Sequence, residues 1–347
     1  MDDGTLDRIC ERLERLVGLD EVGDEWIRPV RTEATQFPHQ CVFFLRPEAT
    51  AINLDVHVRR VLDLLAESLH NYRVGVGAIR LLNSRYLRNF RIIEQHYGVI
   101  SRIAREGRAA LSDAAESELA RVFGEELDRG AIVLGAKGFL SRFSRISPFA
   151  LNVLSDNLPK TKLASGTYAA KVTLAGASYI ILNAFDPFQL EHFTSPGKAL
   201  IIFEGLCDTS WKVLRQEWIG ATNPTNATAG SLRRKFLEQK EQIGMSEVTQ
   251  GTNGIHLSAG PLEGMIEYRR FFSDHTVGVI PFENTVFGRL LISRGLAAQS
   301  IEALSGNPTF LQEGRRTSAF DLTEECDAIE AAQKLVPLVD TQLPTSR

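Results

Sequence analysis

Residues 251 to 268 read GTNGIHLSAGPLEGMIEY, with one histidine, His256, among small residues. A hydroxyl, Ser258, follows two places on and a carboxylate, Glu267, eleven places on. An imidazole with a pKa near about 6.5 is partly unprotonated at neutral pH, so it can attack an electrophile as well as carry a proton. The same residue type also serves as an ordinary surface-loop side chain, and the rest of the chain has to decide. Upstream, GATNPTNATAGSLRRKF (220 to 236) is a Gly, Pro, Thr and Asn-rich loop that ends in a basic cluster. His39, His57, His70 and His275 have no partner that the sequence names, and His192 reads as a surface residue. No GxxxxGK[ST], HExxH or GxSxG motif is present.

These residues need a scaffold, and 347 residues suffice for one enlarged domain or two ordinary ones. The 44% apolar and 24% charged fractions are those of a globular protein. With 39 basic and 43 acidic residues the net charge is −4, which argues against bulk binding to nucleic acid or to a membrane surface. Cys10, Cys41, Cys207 and Cys326 are widely spaced and form no CxxC pair, so reduced thiols in a cytoplasm are expected. The charged N-terminus lacks the apolar core of a signal peptide, and no apolar run reaches the roughly 18 residues of a membrane helix.

Periodicity predicts a helix over 1 to 20, a linker over 21 to 38, a strand at 39 to 49, a helix at 54 to 71 and a strand at 72 to 82. A helix follows over 83 to 98, capped by Asn83 or Ser84. Residues 98 to 129 read as helical, and 166 to 182 as a hairpin turning near Ala175-Gly176-Ala177. A strand is predicted at 198 to 206, a helix at 210 to 220, and a helix at 261 to 272 with Ser258 as its N-cap. The tail from 276 to 347 reads as one more strand and two helices. This order of strands and helices describes a small α/β sandwich.

Six motifs in order resemble the nucleoside diphosphate kinase family. They are Leu45-Arg46-Pro47-Glu48, His96-Tyr97, Phe203-Glu204-Gly205, the intact GATNP at 220 to 224, Ala229-Gly230-Ser231-Leu232-Arg233, and Asn253-Gly254-Ile255-His256-Leu257-Ser258. The resemblance implies a ferredoxin-like four-stranded antiparallel sheet with helices, formed by 39 to 97 and 182 to 275. It leaves 1 to 38 as N-terminal helix and linker, 98 to 181 as an insertion and 276 to 347 as a C-terminal extension.

The resemblance also implies a phosphotransferase with a phosphohistidine intermediate, and nucleoside triphosphate and diphosphate as its partners. His256 then matches the nucleophile, Glu267 the carboxylate that orients the ring, and Ser258 the hydroxyl on that carboxylate. Arg46, Tyr97, Thr222, Arg233 and Asn253 match groups that bind phosphate or ribose. A further family arginine falls on Gln216, and a one-residue bulge would bring Arg215 there instead. Phe185 or Phe188 is the candidate ring for stacking on the base. Mg²⁺ arrives with the nucleotide, so no metal cluster of the protein is required. Family members assemble as hexamers or tetramers, and a homo-oligomer stays open here.

The chain departs from the family at Arg46 and Glu48, where lysine and aspartate are usual. It also departs at Ala259, at Gly260 and in the extra segment 239 to 248. Arg102, Arg105, Arg108, Lys137, Arg142, Arg145, Lys160 and Lys162 read as a solvated basic surface of the insertion. The competing reading is a non-catalytic, nucleotide-binding relative with a regulatory or interaction role.

Overall fold

The computed structural model describes residues 1–31, 35–312 and 314–343. Part of the predicted linker and the end of the predicted tail lie outside these residues. The strands are β1 (Asp24–Arg28), β2 (His39–Leu45), β3 (Gly75–Asn83), β4 (Ile132–Gly135), β5 (Lys160–Ala164), β6 (Thr167–Leu174), β7 (Ala177–Leu182), β8 (Ala199–Cys207), β9 (Ile255–Leu257), β10 (Thr309–Gln312) and β11 (Arg315–Ser318). The chain divides into two compact units, Met1–Tyr86 with Pro196–Arg347, and Leu87–Ser195. The second unit extends past the expected insertion of 98 to 181 at both ends.

The first unit holds a five-stranded antiparallel sheet in the order β1-β3-β8-β2-β9. Four strands were expected. The fifth is β1, which forms inside the predicted linker because DEWIR pairs along β3 as a half-buried edge with little apolar patterning. β2 is buried at every residue, as a strand covered on both faces must be. Side chains alternate across a strand, so Cys41, Phe43 and Leu45 join one apolar cluster with the helices Asp3–Val17 and Val58–Asn71. Phe44 points the other way and meets Phe271 of the helix Pro261–Phe272, with ring centroids 5.2 Å apart.

Two features draw the elements together. Buried Glu204 of β8 accepts from Gln40 Nε2 of β2 at 2.6 Å and from the Ala78 N–H of β3 at 2.8 Å. Gly264 lets the helix Pro261–Phe272 close on β2, since a Cβ there would lie 3.0 Å from Gln40 O. The C-terminal part contributes the helices Val286–Ser293, Ala298–Ser305, Ala319–Thr323 and Ala328–Gln342 and the β10–β11 hairpin. These pack with Leu262, Met265 and Ile266 into a second apolar cluster. The tail thus holds more elements than its weak periodicity predicts.

The second unit has a four-stranded sheet, β4-β7-β6-β5, in which only β4–β7 is parallel. The expected hairpin is β6–β7, and its turn residues Ala175 and Gly176 both have positive φ (50° and 78°), which fits a type I′ turn. β4 and β5 flank it; both are short and mostly half-exposed, which hides them from an apolar-run reading. The helical reading of 98 to 129 corresponds to the helices Gly98–Glu106 and Asp113–Asp128. Buried Asn183 donates to Ile100 O (3.0 Å) and Gly166 O (2.9 Å) and accepts from the Tyr168 N–H (2.9 Å). Among the described residues, no helix is long and apolar enough to cross a membrane.

Candidate functional site

The position of His256 follows from strand register. β9 pairs with β2 so that His256 lies opposite Phe44, on the face covered by the helix Pro261–Phe272. Its neighbours Ile255 and Leu257 turn into the other face and are fully buried. The imidazole stacks on the Phe44 ring at 4.5 Å and 20°. From the covering helix, Glu267 brings a fully buried carboxylate whose Oε1 lies 2.9 Å from His256 Nε2. The other oxygen, Oε2, accepts from the Ser258 hydroxyl at 2.5 Å. Ser258 Oγ in turn accepts from the Val42 N–H at 3.0 Å. Hydroxyl, carboxylate and imidazole therefore form one chain anchored on β2. Ser258 does not cap the helix: Gly260 occupies the N-cap position, without a side-chain cap bond, and Pro261 opens the first turn.

The arginines approach from other elements. Arg46, at the end of β2, is 7% exposed; its Nη1 reaches Asn253 Oδ1 (3.4 Å), its Nη2 donates to Gly251 O (2.6 Å) and its Nε lies 3.2 Å from Glu48 Oε1. Glu48 also accepts from the Gly254 N–H at 2.9 Å. Asn253 donates to Thr222 O at 3.1 Å, which fastens the GATNP loop to the loop before β9. Arg233 lies in the helix Leu232–Glu238 and donates to Gly220 O (2.8 Å) and Ile255 O (3.0 Å). Gly220 has φ +87°, and a Cβ there would meet Ser231 Oγ at 2.4 Å, so the loop begins on a residue that must be glycine. Thr222 has its side chain exposed.

Leu214–Ile219 is a π-helical turn, closed by Gly220 N–H donating to Arg215 O at 3.1 Å. Such a turn holds one residue more than an α-helical one. It leaves Arg215 Nη1 donating to Leu257 O at 3.2 Å, beside His256, while Gln216 turns to Glu325. Arg215 Nε is buried with no hydrogen-bond partner among the described residues.

Tyr97, Phe185 and Phe188 belong to the second unit. There Tyr97 meets Phe193 at 6.2 Å, Phe185 meets Tyr168 at 5.8 Å and Phe188 meets Phe149 at 5.5 Å. Both phenylalanines are half-buried. In the basic surface of that unit, Arg105, Arg108 and Lys160 pair with Glu106, Glu116 and Asp156.

Two groups of the first unit escaped the sequence reading. Glu263 lies one turn before Glu267, and its Oε2 accepts from the Ala259 N–H at 3.2 Å. Burial, and then the charge of Glu267, push its pKa up to about 8, against the pull of Arg215 and Arg270. The i,i+4 spacing of the two glutamates was the available signal. The other group is Glu324, 109 positions from its partner Arg215, for which the sequence holds no signal.

No protein-family model matches the chain, and no curated protein matches it. Among solved structures, an apo nucleoside diphosphate kinase from Encephalitozoon cuniculi is similar at 14% identity and a TM-score of 0.32, over 70% of this chain and 93% of that one. An NDP kinase from Pyrobaculum aerophilum gives 14% and 0.32 over 69% and 97%. These values describe a distant likeness and assign no family. The chain is a mixed α/β protein with largely antiparallel sheets, and its chemistry has to be argued from its own side chains.

Proposed function

We propose that His256 carries a phosphoryl group, taken from a Mg²⁺-bound nucleoside triphosphate and passed to a nucleoside diphosphate or a related acceptor. The observation that carries this reading is the Ser258–Glu267–His256 chain of hydrogen bonds. A buried carboxylate on Nε2–H selects the tautomer whose lone pair is on Nδ1 and stabilises the positive ring that forms on attack.

In the first half-reaction, the Nδ1 lone pair forms a bond to the γ-phosphorus. The bond from that phosphorus to the bridging oxygen breaks, and its electrons leave with the diphosphate. The Nε2 proton stays on the ring, held by Glu267. In the second half, a terminal phosphate oxygen of the acceptor takes the phosphoryl group and the ring regains its lone pair. Arg46, Arg215 and Arg233, with Thr222 and Asn253, supply charge and donors for the phosphates. The strand order β9-β2-β8-β3, with the helix Val58–Asn71 between β2 and β3 and the helix Leu232–Glu238 between β8 and β9 on the same face, supports a ferredoxin-like core. Initial rates of phosphoryl transfer from ATP to GDP test the proposal. Parallel double-reciprocal lines are expected; intersecting lines at all concentrations would remove the covalent intermediate.

One observation favours the second reading, a nucleotide-binding relative without turnover. Arg233 donates to the backbone carbonyls of Gly220 and Ile255, and Arg46 reaches Asn253, Gly251 O and Glu48, so both arginines already serve as structural ties. That reading requires saturable ADP binding with no GTP formed from ATP and GDP.

A further inference from the structure

Two consecutive carboxylates of the C-terminal part reach the π-helical turn beside His256. Glu324 Oε1 lies 3.3 Å from Arg215 Nη2, and Glu325 Oε2 accepts from Gln216 Nε2 at 2.6 Å. The backbone joins in: Glu325 N–H donates to Ala259 O at 2.9 Å. A Cβ on Gly260 would meet Thr323 O at 2.4 Å, so the segment runs close over the turn after Ser258. Glu325 has φ +57°, a conformation few non-glycine residues adopt. Just beyond, Asp327 Oδ1 accepts from the Trp211 N–H at 2.9 Å, which anchors the segment at the start of the helical stretch that carries Arg215. Within this fixed frame the Glu324 side chain is 46% exposed, while that of Arg215 is 21% exposed.

We propose that Glu324 is a built-in competitor for Arg215, holding its guanidinium in the resting chain and giving way when a polyphosphate binds. The inference rests on the phosphotransfer reading and adds the regulation of that site. Carboxylate and phosphate present the same pair of acceptors to a guanidinium, so one arginine serves either but not both fully. The Glu324 end is open to solvent and the Arg215 end only partly buried, and ion pairs of that kind are weak. A nucleotide with several negative charges therefore displaces Glu324. The loss still weakens binding by about two- to fivefold, the equilibrium equivalent of about 0.4–1 kcal/mol. The Gln216–Glu325 bond and the Ala259 backbone contact do not use Arg215, so they hold the segment in place while Glu324 swings out.

The test is ADP binding by calorimetry to the full chain, comparing wild type with Glu324→Gln, Glu302→Gln, Arg215→Ala and the double variant Arg215→Ala/Glu324→Gln. Glu302 is the control because it pairs with Arg269, at 3.2 Å, and not with an arginine assigned to the phosphates. Glu324→Gln is expected to bind ADP two- to fivefold tighter, Glu302→Gln to match wild type, and the gain to vanish in the Arg215→Ala background. Glu324→Ser gives a second neutral side chain, and thermal unfolding confirms that each variant folds. If wild type binds ADP and the Glu324 variants bind it no tighter, the competitor role is overturned and the phosphotransfer reading stands. If neither wild type nor any variant binds ADP, both fall.

Discussion

The two sides of His256 are built differently. On the Glu267 side, side chain answers side chain: hydroxyl, carboxylate and imidazole hold one another with buried, charge-assisted bonds. On the arginine side, Arg233 donates to Gly220 O and Ile255 O, Arg215 to Leu257 O and to Glu324, and Arg46 to Gly251 O. The first side is already arranged for a reaction at the ring, because its geometry needs no partner from outside. The second side ties the GATNP loop, the π-helical turn and β9 together through backbone carbonyls. On the proposed reading, the nucleophile is ready while the groups assigned to the phosphates also serve as structural ties.

Variants that act on one side alone break this contrast most clearly. The largest effect is expected from Glu267→Gln. It keeps the size of the side chain and can still accept from Ser258, but it disturbs the tautomer of His256 and removes the charge behind it. Phosphotransfer should fall by on the order of 10²–10⁴-fold, with ADP affinity nearly unchanged. Equal losses in both, measured by rates and calorimetry, would deny the orienting role.

Next comes Arg233→Ala, which leaves two carbonyls without their donor. It should lower unfolding stability in urea by about 2–4 kcal/mol as well as weaken ADP binding. A loss of affinity with stability unchanged would show that Arg233 is not a structural tie. Arg46→Lys should retain turnover within about tenfold of wild type, since lysine keeps the charge but cannot span Asn253, Gly251 O and Glu48 together. Abolished turnover would mean that the flat fork itself is required.

The smallest effect concerns pH. Glu263 holds its proton up to about pH 8 in the folded chain. An unfolded glutamate loses it near pH 4, about the model-peptide value. The folded state thus binds the extra proton, and this group's contribution to stability is full below the unfolded value and declines as pH rises toward 8. Glu263→Gln, which can still accept from the Ala259 N–H, should flatten the fall of the melting temperature between pH 5 and about 8. An unchanged slope would place the proton elsewhere.

Much of the scaffold could be read from the sequence where burial is extreme. HQCVFFL and KALIIF gave β2 and β8 because central strands covered on both faces need nearly every residue apolar. The edge strand β1 was invisible because DEWIR is half-exposed and has no alternation to detect. Short β4 and β5 escaped for the same reason. The hydrogen-bonded trio of His256, Ser258 and Glu267 was legible from spacing alone, since one short strand, the residue after it and the next helix carry all three. The π-helical turn showed itself only as an arginine one place out of step. The backbone partners of the arginines left no trace, because a carbonyl acceptor imposes no residue type. Glu324 left none either, because its contact depends on how the tail folds back.

Transfer of label from γ-³²P-ATP to the full chain tests the central claim most directly. The account predicts acid-labile, alkali-stable label on wild type, chased off by GDP and absent from His256→Ala. Equal labelling of His256→Ala, or an unlabelled wild type that binds ATP, would contradict it.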